Sequence, residues 1–330
     1  GANNVAVGTN ALDANTTASN NTAVGVDSLG ANTTGADNVA VGKGALDANT
    51  TASDNTAVGS NALTTNTTGT ANVAVGTSAL NDNTTASYNT AVGQASLANT
   101  TTGQANTALG VDVLVANTTG LDNTAVGTSA LSANTTGASN TVVGRATGSS
   151  ITTGSNNLML GHDAGITGSP GGNLTTGSNE IALGDENIAS ASIQVDWTVA
   201  SDQRDKTDFT ALDLGLDFVK ALAPVTYKWD KRSKYGDKSA DDYDLLDQTP
   251  DGTHKEDWLD IGFKAQEVQA LEEAAGYTTA AKKNLTVSTT GDGKQMGIQY
   301  SKFVPILVKA LQELSAKNDA LEARLTTLEG

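Results

Sequence analysis

An Asn that returns every 17 residues without a slip constrains this chain more than any other feature. It stands at Asn4, Asn21, Asn38, Asn55, Asn72, Asn89, Asn106, Asn123, Asn140 and Asn157. Gly follows four residues later each time, from Gly8 and Gly25 to Gly161, with a Val or Leu just before it. A Leu recurs at the same step from Leu12 to Leu131. A last copy, Glu180-Ile181-Ala182-Leu183-Gly184, comes 23 residues after its predecessor, so six residues around Pro170-Gly171-Gly172 are looped out. Seventeen residues with alternating polar and apolar positions, β-branched Thr and Val, and a fixed Gly suit one coil of a parallel β-solenoid. A helical repeat would need about 33 residues or more and a 3.6-residue apolar stripe. The Gly fits a corner at positive φ or a close backbone approach, and the stacked Asn are expected to form a hydrogen-bonded ladder. Ten coils at about 4.7–4.8 Å each predict a rod on the order of 45–48 Å long.

Each coil offers few large apolar side chains, too few to offset the ordering of its backbone. Several chains around one axis would turn the Val and Leu rows into a common core, so the rod predicts an obligate oligomer, a homotrimer. The Thr row at Thr16, Thr33, Thr50, Thr67, Thr84, Thr118 and Thr135 has a counterpart in ice-binding solenoids. Here the Thr come as neighbours (Thr16-Thr17, Thr33-Thr34), and neighbours on a strand face opposite ways, so a turn is preferred and ice binding stands as an alternative. The Asn-Thr-Thr triplets match glycosylation sequons and are read instead as hydrogen-bonding turns. Calcium-binding nonapeptides are absent, and with Tyr88 as the one aromatic before residue 197 no carbohydrate site is assigned.

Composition changes near residue 196. Residues 1–196 hold one of the chain's thirteen aromatics and a net charge of −11, whereas residues 197–330 hold the other twelve and −6. The total of −17 argues against nucleic acid or an anionic membrane surface as partner. There is no Cys for a disulfide, thiolate site or nucleophile. No apolar run approaches the length of a membrane helix. The chain opens on Gly1 rather than Met and is expected to be a segment of a longer protein.

The second half reads as an ordinary domain beginning at Trp197. A helix is expected over Ala211–Leu222, stopped by Ala223-Pro224, then a strand over Val225–Trp229. A polar loop over about 230–256 carries Asp241, Asp242, Asp244, Asp247 and Asp251. Asp260 to Val268 reads as a strand turning into a helix, and Leu285 to Tyr300 as a hairpin turning at Gly291-Asp292-Gly293. In the last thirty residues Val304, Leu311, Asn318 and Leu325 alternate with Leu307, Leu314, Leu321 and Leu328 as an a/d heptad seam with one Asn at an a position. Pro305 fits the first turn of that helix. The alternative is an amphipathic helix packed on its own domain.

Residues 4–187 resemble the head repeats of trimeric autotransporter adhesins and the same motif in phage tail fibres, which wind as a trimeric parallel β-roll. The C-terminal part resembles the intramolecular chaperone of endosialidases and other phage tail spikes and fibres. The likeness lies in Ser201-Asp202-x-Arg204-x-Lys206, in Ala223-Pro224-Val225-x-Tyr227-x-Trp229, in Ile261-Gly262-Phe263-x-Ala265-Gln266-Glu267-Val268, and in the run from Tyr300 through Phe303 to Leu314. Asp205 departs from the apolar residue more common before the Lys. The resemblance implies a domain that trimerises, templates the upstream rod and cuts itself off before the motif's Ser. Ser201 would then be the nucleophile, Lys206 the general base and Ala200–Ser201 the scissile bond, with Asp202 or Arg204 orienting the pair.

A lysine can replace histidine as base where burial and neighbouring cations favour its neutral form. Arg204 and a trimer interface are the expected sources. His162 and His254 are isolated in sequence, so no metal and no cofactor are expected. The fold expected is mainly β: a trimeric solenoid rod over 1–196, an α+β chaperone domain over 197–300 and a coiled-coil helix over 301–330. The function expected is that of a self-processing viral tail-fibre segment in a virion, a single-turnover serine peptidase in cis, with a host-cell surface receptor as a further partner. A bacterial surface adhesin with the same parts is the alternative, and a glycan hydrolase would need a catalytic domain upstream of Gly1.

Overall fold

The computed structural model of the chain describes residues 1–329 except 170, 189, 193, 195–198, 239, 241, 279–284 and 291. Trp197 at the expected boundary, Pro170 of the insertion, Asp241 of the acidic loop and Gly291 of the hairpin turn lie outside the described residues. Two compact units divide the chain, Gly1–Ile188 and Ala189–Gly330.

Unit one is the β-solenoid. Eleven three-residue strands, from β1 (Val5–Val7) to β11 (Ile181–Leu183), lie in sequence order in one parallel sheet. Val5 pairs with Thr22 and Thr22 with Val39, at the 17-residue step. The insertion closes on itself, Leu174 N–H donating to Gly165 O at 3.0 Å, and register resumes with Leu158 opposite Ile181. Strand side chains alternate, so the middle residue is buried (Ala23, Ala40, Ala57) while its neighbours face out.

Inside each coil one Leu stacks on the next, and Leu29, Leu46, Leu63, Leu80, Leu97, Leu114 and Leu131 have no exposed surface. The Leu row therefore fills each chain's own interior, which corrects the expectation that it would be shared between chains. The outward row of Val7, Val41, Val58, Leu109 and Val143 stays 36–57% exposed. The buried Leu sit at φ 50–54°, a left-handed corner costing about 1–2 kcal/mol in an L-residue, held by the stack above and below. Where the row reaches Gly148 the volume is made up by Met159 and Ile151, whose atoms a Cβ there would meet at 3.2 and 3.4 Å. At the other corner Gly25 has φ +142°, and a Cβ there would collide with Gly42 O of the next coil.

The expected Asn ladder is present. Asn38 donates from its backbone N (2.9 Å) and Nδ2 (3.1 Å) to Asn21 Oδ1, and Nδ2 also reaches Ala52 O (2.9 Å). The ladder ends where Glu180 N donates to Asn157 Oδ1 at 3.0 Å. A second ladder runs through the Asn-Thr-Thr triplets: Asn49 Nδ2 donates to Asn32 Oδ1 and to Ala52 O, both at 3.0 Å. From Asn32 to Asn134 these Asn are fully buried, which leaves them no access for a glycan, while Asn15 at the first coil is half-buried. The first Thr of each triplet also binds the next coil, as Thr33 Oγ1 does to Thr50 O at 2.9 Å.

Unit two is α+β. The helix expected from Ala211 begins later, as α1 (Leu216–Ala221), because Gly215 is non-helical. Glu313 Oε2 accepts from Leu216 N–H at 2.8 Å, and a Cβ on Gly215 would strike that carboxylate. The strand β12 (Val225–Tyr227) pairs antiparallel with β13 (Asp260–Gly262), which leads into α2 (Ala265–Ala274). The hairpin is β14 (Val287–Thr289) with β15 (Met296–Ile298), and α3 (Phe303–Glu329) closes the chain. The core joins Leu214, Phe218, Val268, Val287, Phe303 and Ile306. Glu272, buried on α2, accepts from Thr286 N (2.7 Å) and Oγ1 (2.5 Å). Among the described residues no helix is long and apolar enough to cross a membrane.

Helix α3 has two apolar faces. Phe303, Ile306 and Ala310 are buried against the rest of the unit. The heptad residues lie on the other face and are exposed: Val304 (58%), Leu307, Leu311, Leu314, Leu321, Leu325 and Leu328 (82%), with Asn318 beside them.

Candidate active site

One turn of 3-10 helix brings the motif's two reactive groups together. Asp202 adopts an extended backbone (φ −64°, ψ 131°), and its Oδ1 accepts from Arg204 N at 2.9 Å, capping the turn Gln203–Asp205. Within the turn Asp205 N donates to Asp202 O and Lys206 N to Gln203 O, each at 3.2 Å. Five residues on from Ser201, Lys206 therefore folds back over it. Its Nζ lies 2.5 Å from Ser201 Oγ and 3.4 Å from Ser201 O. Ala200 and residues 201–206 are all exposed.

Arg204 does not turn toward the lysine. Its Nε lies 3.1 and 3.2 Å from the two oxygens of Asp202, and its Nη2 is 2.6 Å from Oδ2. These side-chain contacts, then the backbone N–H of Arg204, hold the Asp202 carboxyl below the usual carboxylate range. The same carboxylate pushes the guanidinium of Arg204 up. The structure thus joins Ser201 with Lys206, and Asp202 with Arg204, as two neighbouring pairs.

Chemically, an amine within hydrogen-bond distance of a hydroxyl can accept its proton once the amine is neutral. The bond preceding Ser201 ends on the backbone nitrogen of the same residue that carries this hydroxyl. Shelter from water, which favours a neutral lysine, is not provided by this exposed segment itself.

Charged groups that look scattered in sequence meet in the rod. Arg145, His162 and Asp185 follow the Gly corner on successive coils and form one row. Arg145 Nη2 lies 2.7 Å from His162 Nε2, and His162 Nδ1 lies 3.4 Å from Asp185 Oδ2 and 3.3 Å from Asp163 Oδ2. Arginine cannot accept, so Nε2 is the acceptor and Nδ1 carries the proton. Burial works to raise the Asp185 carboxyl, but Asn187 and His162 hydrogen bonds bring it below its ordinary value. The 17-residue step from Arg145 to His162 was the signal for this row. Among the described residues no group of His, Asp and Glu could hold a metal ion.

No curated protein and no solved structure matches the chain. Residues 201–277, beginning on the nucleophile candidate itself, match the family model described as the chaperone of endosialidase. The C-terminal unit thus carries a match to an intramolecular chaperone, and the matched stretch begins at Ser201.

Proposed function

We propose that this chain is a segment of a phage tail fibre whose C-terminal unit gathers three copies, templates the β-rod and then releases itself by cutting Ala200–Ser201. The observation that carries the reading is the 2.5 Å approach of Lys206 Nζ to Ser201 Oγ at the first residue of the chaperone match.

Neutral Lys206 takes the Oγ proton as Oγ bonds to the Ala200 carbonyl carbon. The Ala200–Ser201 C–N bond breaks as its nitrogen takes that proton, leaving an ester between Ala200 and Ser201 Oγ. Water adds to the ester carbonyl with Lys206 again as base, and the C–O bond breaks. The products are an Ala200 carboxylate and a Ser201 with free amine and hydroxyl.

Self-association is supported by the exposed α3 seam, which remains after the helix has packed on its own domain, and by the exposed Val row of the rod. The count of three rests on the resemblance to endosialidase chaperones and adhesin heads. Arrangement of the copies would also supply the shelter that Lys206 lacks in one chain.

The test is a denaturing gel with intact-mass measurement on the expressed chain, and a native mass on the same sample. Fragments 1–200 and 201–330 and a threefold native mass are expected, with Ser201→Ala leaving one band near 33.3 kDa. Cutting that continues in Ser201→Ala removes the nucleophile assignment, and a stable folded single chain removes the assembly.

A further inference from the structure

We propose that Asp202 and Arg204 are positioning residues acting on Lys206: Asp202 folds the turn that delivers the lysine, and Arg204 cancels the charge this device introduces. The inference rests on the self-cleavage reading and goes beyond it in giving each residue of the second pair its own task.

Capping requires an acceptor at residue 202, and the capping oxygen of Asp202 meets Arg204 N at 2.9 Å. A carboxylate there has a cost for the chemistry. It stands next to the nucleophile and favours the charged, non-basic form of any amine nearby. Arg204 answers that with three contacts of 2.6–3.2 Å on both carboxylate oxygens. An arginine stays charged throughout the working pH range and matches a carboxylate with a planar fork, so the neutralisation holds wherever the lysine can act. The charged groups on the segment around Lys206 are Asp202, Arg204, Asp205 and Asp208. Among the described residues Lys206 Nζ hydrogen-bonds only to Ser201, and none from another element reaches it. Asp202 is therefore the anion whose state depends on a single partner.

The two residues then separate by experiment. Replacing Arg204 frees the Asp202 charge while leaving the backbone cap, and a unit charge a few ångströms off in water shifts an ionisation by on the order of half a unit. Replacing Asp202 by Asn keeps an oxygen acceptor for the cap and removes the charge. Full-length chain made by cell-free synthesis is moved into buffers from pH 6 to 10, and the rate of appearance of the 201–330 fragment is followed. For Arg204→Gln the alkaline rise in rate should move up by about half a pH unit, which is about threefold slower cutting below the midpoint. The double variant Asp202→Asn/Arg204→Gln should return the midpoint to that of the parent.

An unchanged midpoint in Arg204→Gln overturns the proposal, as does a double variant that keeps the shift or fails to cut. Absence of cutting in the parent chain at every pH overturns the self-cleavage reading itself. If Arg204→Gln is inactive throughout but the double variant cuts like the parent, charge cancellation is supported, because removing a second side chain restores what the first removal took away.

Discussion

The buried Asn ladder makes a sharp prediction at Asn72, in the middle of the rod. Its side chain has no exposed surface. Its Oδ1 accepts from Asn89 N at 3.0 Å, while its Nδ2 donates to Asn55 Oδ1 at 3.2 Å and Ala86 O at 2.9 Å. Truncation to Ala leaves Asn89 N–H buried without a partner, whereas Ala86 O keeps Asn83 Nδ2 at 3.0 Å and Asn55 Oδ1 keeps Asn72 N at 3.0 Å. One orphaned donor plus the lost amide bonds amounts to about 2–4 kcal/mol. Asn72→Asp preserves the acceptor for Asn89 but places a carboxylate oxygen where Nδ2 faced two oxygens, and buries a charge. That exchange should cost more than about 4 kcal/mol, so the nearly isosteric change is the worse one.

Each coil touches mainly its neighbours, so the loss should be local. Amide hydrogen exchange followed by mass spectrometry reads it, with protection falling most in the peptide containing Asn89. Asn20→Ala serves as the comparison: its bonds to Asp37 Oδ1 (3.0 Å) and from Asn3 Nδ2 (3.2 Å) are on the surface, and its φ of 62° is one that Ala71 and Ala105 adopt at the same place in later coils, so the cost should stay below about 1 kcal/mol. Equal tolerance of Ala and Asp at residue 72 would refute the ladder as a source of stability.

The second ladder has three gaps. Asn83 Oδ1 is buried without a partner where residue 100 is Thr instead of Asn, Asn134 Oδ1 is likewise orphaned where the row reaches Ile151, and Asn15 Oδ1 at the first coil is orphaned although Asn32 follows it, Asn32 Nδ2 donating to Gly35 O at 2.9 Å instead. Thr100→Asn restores the missing donor and should stabilise the rod by about 1 kcal/mol, read as a higher midpoint in denaturant; an unchanged or lower midpoint counts against the account. Acid should separate the two units. Backbone N–H donation from Leu216 and a smaller contribution from Lys309 hold Glu313 below its ordinary value, and donation from Leu246 with Lys294 does so for Asp244. Depressed carboxyls contribute stability present above their unfolded pKa of about 4 and lost as pH falls through the folded value. In the rod, burial and then Asp27 raise Asp47, which reverses the sign there, although Asp185 follows the second unit. Tryptophan fluorescence, whose three sources Trp197, Trp229 and Trp258 all belong to the second unit, should therefore change at higher pH than the far-ultraviolet circular dichroism of the rod. Loss of the rod signal first would contradict this.

The repeat made the solenoid legible because its period, its Gly corner and its first Asn row are all consequences of stacking identical backbone. The destination of the Leu row was not legible. Val and Leu look alike as apolar positions, and only the left-handed corner before Asn15 and its equivalents turns the Leu inward while the strand sends the Val outward. The second Asn row escaped for a related reason: Asn-Thr-Thr is turn chemistry in any protein, and burial is what makes it a ladder here. In the second unit the start of α1 was misplaced because its cap, Glu313, lies 97 residues away in sequence. The Ser201–Lys206 pair came from the resemblance to endosialidase chaperones, since Ser-Asp followed by charges reads on its own as a helix cap, and Arg204, expected as a cation beside the lysine, lies on Asp202.

Near-identical coils create a register problem that their own packing cannot resolve. Slide one rod past another by a single coil and every outward Val again meets a Val or Thr, and only the end coils go without a neighbour. The gap between correct and shifted assemblies is then small compared with the total, the condition under which chains become trapped. The α3 seam is not periodic in that way. A slip of one heptad sets Asn318 against Leu311 or Leu325, burying an amide without its partner, a penalty the correct register avoids. In the proposed assembly, register set once by seven Leu and Val positions and one Asn would pass to the rod if the helices join before the coils stack. A cleavage site whose lysine is exposed in one chain would fit that order, if in the proposed assembly neighbouring copies cover it. The template would then leave only after the register it specifies has been built into the rod.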